Sequence, residues 1–170
     1  MVKEYFSKGS RYFIALFGCL WATVLVCVIT ALAVRFVVAK DSIEESVIQL
    51  IVMTVVMGIA LFICAYRMGY TEREFDLKMV FIPMGIAVVL QLVYAALFSF
   101  SLYSAGPAYY AGKVLYMLHG VTEPGVPDGF VFPFVCFFDV LYIGIAAAGE
   151  YFGVKNRGLE REKTISGDTK

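Results

Sequence analysis

Asp139 stands out for the chemistry it brings to this chain. It lies near the centre of an apolar run from Phe130 to Gly149. Holding an ionised Asp at the middle of a membrane helix costs at least about 2.5–3.5 kcal/mol on insertion scales. Such a group must face other helices, find a partner or keep its proton. The chemistry open to it is proton or cation handling. The plainer role is a hydrogen bond to a neighbouring helix.

Four more residues join Asp139 as a candidate intramembrane polar site. Glu150 follows eleven residues later. Eleven residues make about three helical turns and advance about 16 Å. Asp139, Ile143, Ala146 and Glu150 therefore share one face, as a proton path would require. Glu150 also sits where lipid headgroups should begin, and simple solvation there is the plainer account of it. Gln91 falls near the middle of a second apolar run, at a similar depth to Asp139. Its amide can donate to a carboxylate or accept from a carboxylic acid, so the two are expected to pair. Tyr94 and Tyr142 are the nearest hydroxyls in sequence. Interhelical bonds of this kind average about 0.6 kcal/mol, enough to orient helices without implying function.

Other chemistries find no support. The cysteines Cys19, Cys27, Cys64 and Cys136 lie in apolar runs without Cys-x-x-Cys spacing, and His119 is the single histidine. They read as buried thiols acting as small hydrophobes, and no metal or other cofactor is expected. There is no phosphate loop, zinc-protease motif or nucleophile elbow. Net charge is zero, and no basic cluster points to nucleic acid.

Composition decides what must position these groups. Of 170 residues, 61% are hydrophobic and 16% charged. Soluble domains hold about 45–50% and about 25%. One water-soluble core cannot hide that much apolar surface, whereas lipid can. A span needs about 20 apolar residues, and four runs qualify, at about 12–35, 46–67, 79–100 and 130–150. The fold class expected is an all-α integral membrane protein, a four-transmembrane-helix bundle. Residues 1–153 form the membrane domain and 154–170 a charged tail whose last six or so residues are expected to be disordered. The basic start and Ala31-Leu32-Ala33 echo a cleaved signal, but the apolar stretch is nearer twenty residues than the usual 7–15, and it is read as a span.

Local signals frame the spans. Ser42-Ile43-Glu44-Glu45 reads as a capping box opening the second helix, and Thr71-Glu72-Arg73-Glu74 as one opening the third. Gly69 is expected to end the second helix, and Asp128 to cap the fourth. Pro133 then falls near the first turn, and Pro83 inside the third helix should bend it. Ala15, Gly18 and Ala22 on the first helix, and Gly144 and Ala148 on the fourth, are expected contact faces, serving internal packing or self-association equally well.

Orientation follows from Lys and Arg. Eleven lie before the first span, between the second and third, or after the fourth; the other side holds Arg35, Lys40 and Lys113. Both termini are therefore expected in the cytoplasm, with Arg35 snorkelling to the outer headgroups. Between the third and fourth spans, Pro107 to Leu118 reads as a short amphipathic helix on the outer surface, ended by His119-Gly120.

The four-span layout resembles that of claudins, yet their Trp-Gly-Leu-Trp and paired extracellular cysteines are missing. Small multidrug transporters carry a membrane Glu in the first helix, and none stands here. The expected function is a non-enzymatic accessory or assembly subunit acting through helix contacts. The alternatives are a small oligomeric transporter or channel using Asp139, and then a membrane-embedded enzyme. The expected surroundings are a lipid bilayer, that of the cytoplasmic membrane, with a membrane-protein partner or further copies of the chain.

Overall fold

A computed structural model describes residues 2–34, 38, 42–72, 74–98, 107–120 and 126–167. It is all-helical among them: α1 Val2–Val34, α2 Ile43–Thr71, α3 Lys78–Phe98, α4 Pro107–Leu118 and α5 Asp128–Gly167. Among the described residues three helices, α1, α2 and α5, are long and apolar enough to cross a membrane. Arg35 lies outside the described residues, as do the side chains of Gln91, Tyr94 and Cys27.

Ser42 caps α2, its side chain accepting from the Glu45 amide at 3.1 Å. The other end differs from expectation. Gly69 does not stop α2, which continues to Thr71 with Glu72 as its C-cap. Thr71 and Glu72 therefore close one helix instead of opening the next, and Arg73 lies outside the described residues. Asp76 does the opening, accepting from the Lys78 amide at 2.9 Å, because a short side chain can reach an orphan amide two residues on. Pro83 and Pro133 both sit five residues past the start of their helices, so Pro133 lies beyond the first turn. The charged end of the chain continues α5 as helix to Gly167.

Contacts give the helix directions. Lys8 meets Glu72 and Thr23 meets Met57, so α1 and α2 run antiparallel. Along α2, Gly58, Phe62, Tyr66 and Tyr70 meet Ile145, Gly149, Asn156 and Glu160 in that order, so α2 and α5 run parallel. The start of α1, the α2–α3 turn and the late part of α5 therefore gather at one end, called here the basic end. α4 packs on α2 and α5 at the other, where the Ser46 hydroxyl faces the Met117 sulfur at 3.8 Å.

The two faces of α2 explain the class. Met53, Met57, Leu61, Ala65 and Gly69 recur every four residues and are buried. Ile51, Val55, Ile59 and Ile63 recur every four residues on the outside, each about half exposed. A soluble helix puts polar residues on its outer face; this one is apolar on both, which is compatible with embedding in lipid.

Glycines let α2 and α5 touch. A Cβ on Gly69 would run into the backbone of Glu150, and one on Gly153 into the backbone of Tyr66 and Tyr70. One on Gly149 would stand 2.8 Å from the Phe62 carbonyl oxygen. The expected small-residue faces are elsewhere. A Cβ on Gly18 or Gly144 would meet nothing beyond its own helix within 4 Å, and Ala22 and Ala148 are exposed. Small spacing recurs by chance in apolar sequence; only a partner's surface makes it a contact. Ala substituted at Gly69 or Gly153 should cost about 1–3 kcal/mol through overpacking, and at Gly18 or Gly144 nearly nothing. Thermal unfolding in detergent, followed by circular dichroism, checks the contrast.

Candidate functional site

The helix directions bring three parts of the chain together at the basic end. α1 presents Lys8 and Tyr12 one turn apart, α2 ends at Glu72, and α5 carries Glu150 beside the glycine contact. The Lys8 ammonium donates to Glu150 Oε2 at 2.9 Å and lies 2.6 Å from Glu72 Oε1. The Tyr12 hydroxyl donates to Glu150 Oε1. Both carboxylate oxygens of Glu150 are thus engaged. Tyr12 is 0% exposed and Glu150 1%, against 9% for Lys8.

Glu150 is therefore not a solvated headgroup residue, as its place at the end of an apolar run suggests. Gly69 allows α2 so close that the Glu150 side chain is shut in. A buried carboxylate without a partner is severely penalised, and α1 supplies two donors. The chemistry of such a cluster is cohesion: it ties the first and last helices by groups 142 residues apart.

Two further groups complete this end. Arg157 Nη1 donates to the carbonyls of Thr71 at 3.0 Å and Glu72 at 2.6 Å. These are orphan acceptors at a helix C-terminus, where a cation also meets the favourable end of the dipole. Phe75 packs edge-on against Tyr151, with ring centroids 5.5 Å apart, and pins the α2–α3 turn to α5. Beside the cluster a cavity of about 420 Å³ opens between the first turns of α1 and Glu72 and Met79.

Asp139 lies apart. It is half-buried on α5. Tyr142, one turn on, is buried, and its hydroxyl has no hydrogen-bond partner among the described residues. Between Asp139 and Glu150 the face is filled by Tyr142 and Ala146, the latter fully buried. Of the five candidate residues, Asp139, Tyr142 and Glu150 share this face, while the side chains of Gln91 and Tyr94 fall outside the described part.

The thiols differ from one another. Cys19 is buried on α1 within hydrogen-bond reach of half-buried Cys64 on α2. Cys136 is exposed on the outer face of α5, not buried as expected, because the apolar run that contains it is apolar on every side. Thr23 bonds back to the Cys19 carbonyl at 2.6 Å and faces the Met57 sulfur at 3.7 Å.

Sequence reading missed Lys8, Tyr12, Glu72 and Arg157. Lys8 and Tyr12 carry one usable signal, a spacing of four residues that places both on one helix face. Replacing Glu150 by Ala leaves Lys8 with Glu72 alone and should cost about 3 kcal/mol, the lower end for a broken buried pair because Lys8 borders the open cavity. The double replacement Lys8→Met, Glu150→Met should cost clearly less than its two single changes together. Denaturant unfolding in mild detergent measures this, and additivity within about 0.5 kcal/mol would show that the two groups are not coupled.

No protein-family model, no curated protein and no solved structure matches this chain.

Proposed function

We propose that this chain is a four-span membrane protein with both termini in the cytoplasm, working as a non-enzymatic accessory or assembly subunit through helix contacts. One observation carries the reading. The most deeply buried charged group among the described residues, Glu150, has both oxygens engaged by side chains of another helix. The cluster's bonds go into holding helices together, leaving no carboxylate oxygen of Glu150 open to a substrate. The outer faces of the helices are apolar and suited to lipid or to another membrane helix.

Four spans fit the dimensions. The 21 residues of α3 make about 32 Å of helix, matching the roughly 30 Å hydrocarbon core. Alternating directions then put Lys3, Lys8, Arg11, Lys78 and Arg157 on one side, the cytoplasmic one by the positive-inside rule. α1 and α5, at 33 and 40 residues, exceed what a span needs and project from that side.

A second reading, a small oligomeric transporter or channel, is favoured by the Tyr142 hydroxyl, buried one turn from Asp139 without a partner among the described residues.

Two measurements separate these readings. Purification from the native membrane in mild detergent should bring down a second membrane protein in fixed ratio. Recovery of the chain only as its own oligomer, with proton flux in proteoliposomes that Asp139→Asn abolishes, would replace the accessory role by transport. For topology, cysteines engineered at Lys163 and at His119 should react with an impermeant maleimide from opposite sides of sealed vesicles; same-side labelling would refute the four-span arrangement.

A further inference from the structure

We propose that the cavity at the basic end binds the phosphodiester of an anionic phospholipid headgroup. Lys3, Ser7 and Arg11 line it at intervals of four residues, one face of α1, and Glu72 and Met79 stand across from them. Its volume, about 420 Å³, falls within the range of roughly 300–1,000 Å³ typical of small-ligand pockets. Lys3 and Arg11 are exposed, and Ser7 adds a hydroxyl donor between them.

Charge selects the ligand. Lys8 is held by both Glu72, at 2.6 Å, and Glu150, at 2.9 Å. The cations left facing the open cavity are Lys3 and Arg11, with Glu4 beside them. Arg11 offers a planar fork of donors for two phosphate oxygens.

The surroundings select a lipid over a dissolved ion. Within one turn of Met79 on α3, Phe81 and Ile82 are 48% and 44% exposed. Polar donors above an uncovered apolar flank are what a headgroup and its acyl chains need together. Basic pockets between membrane helices on the cytoplasmic side recognise anionic headgroups in this way.

The inference rests on the spanning arrangement proposed above, and its test separates the two. The full-length chain is placed in nanodiscs of mixed phosphatidylglycerol and phosphatidylcholine, and the lipids it retains on release are weighed by native mass spectrometry. The unaltered chain should retain phosphatidylglycerol in preference. The double variant K3Q/R11Q, changed only at exposed positions, should lose roughly tenfold of that preference. The variant E4Q should strengthen it. An unchanged preference in K3Q/R11Q, in a chain that enters the disc normally, would overturn the site alone. Displacement of the retained lipid by millimolar glycerol 3-phosphate would overturn the lipid assignment in favour of a soluble anion. A chain that stays out of the disc would overturn the spanning arrangement and the site with it.

Discussion

Everything at the basic end depends on how closely α2 and α5 approach. In lipid there is no hydrophobic force between helices, since acyl chains are as apolar as leucine. Association relies on close packing and on polar contacts. Gly69, Gly149 and Gly153 supply the first by letting backbone touch backbone. That closeness shuts in Glu150, and a shut-in carboxylate must be satisfied. The first helix is thereby drawn to the last, and α1 packs where Lys8 and Tyr12 reach Glu150.

The same arrangement divides the molecule by polarity. Charge concentrates at one end, where Lys8, Glu72, Glu150 and Arg157 bind the helices and their termini together. The middle is nearly free of charge, with Asp139 as the exception. The outer faces carry isoleucine, valine and phenylalanine, a surface that lipid tolerates and water does not. The core is apolar too, with Leu16, Leu61, Val80 and Met84 buried, so the polar cluster is a local tie at one end and apolar surface lies both inside and out.

How much of this the sequence discloses depends on the range of the interaction. Apolar runs report helices because every residue in them obeys the same requirement, and Ser42 reports its cap because donor and acceptor lie three residues apart. Pro107 likewise marks the start of α4. Glu150 looks like a headgroup residue because nothing within twenty residues of it is a cation on a facing helix. Its partners come from the other end of the chain. The glycine contact is present in the sequence as Gly149-xxx-Gly153, yet Gly144 and Gly18 look equally suitable. Only the approach of α2 tells them apart. Thr71 and Glu72 fit the pattern of a helix start and serve as a helix end, since a short polar residue can satisfy either terminus.

The separation of Lys8 and Glu150 has a consequence for assembly. The ribosome makes Lys8 142 residues before Glu150, so the amine waits while the intervening helices are made. Glu72 arrives about midway and already offers it a carboxylate. The nascent bundle thus has an interim ion pair once α2 is complete, and the glycine face of α2 stays bare until α5 emerges. Closure of this bundle waits for α5.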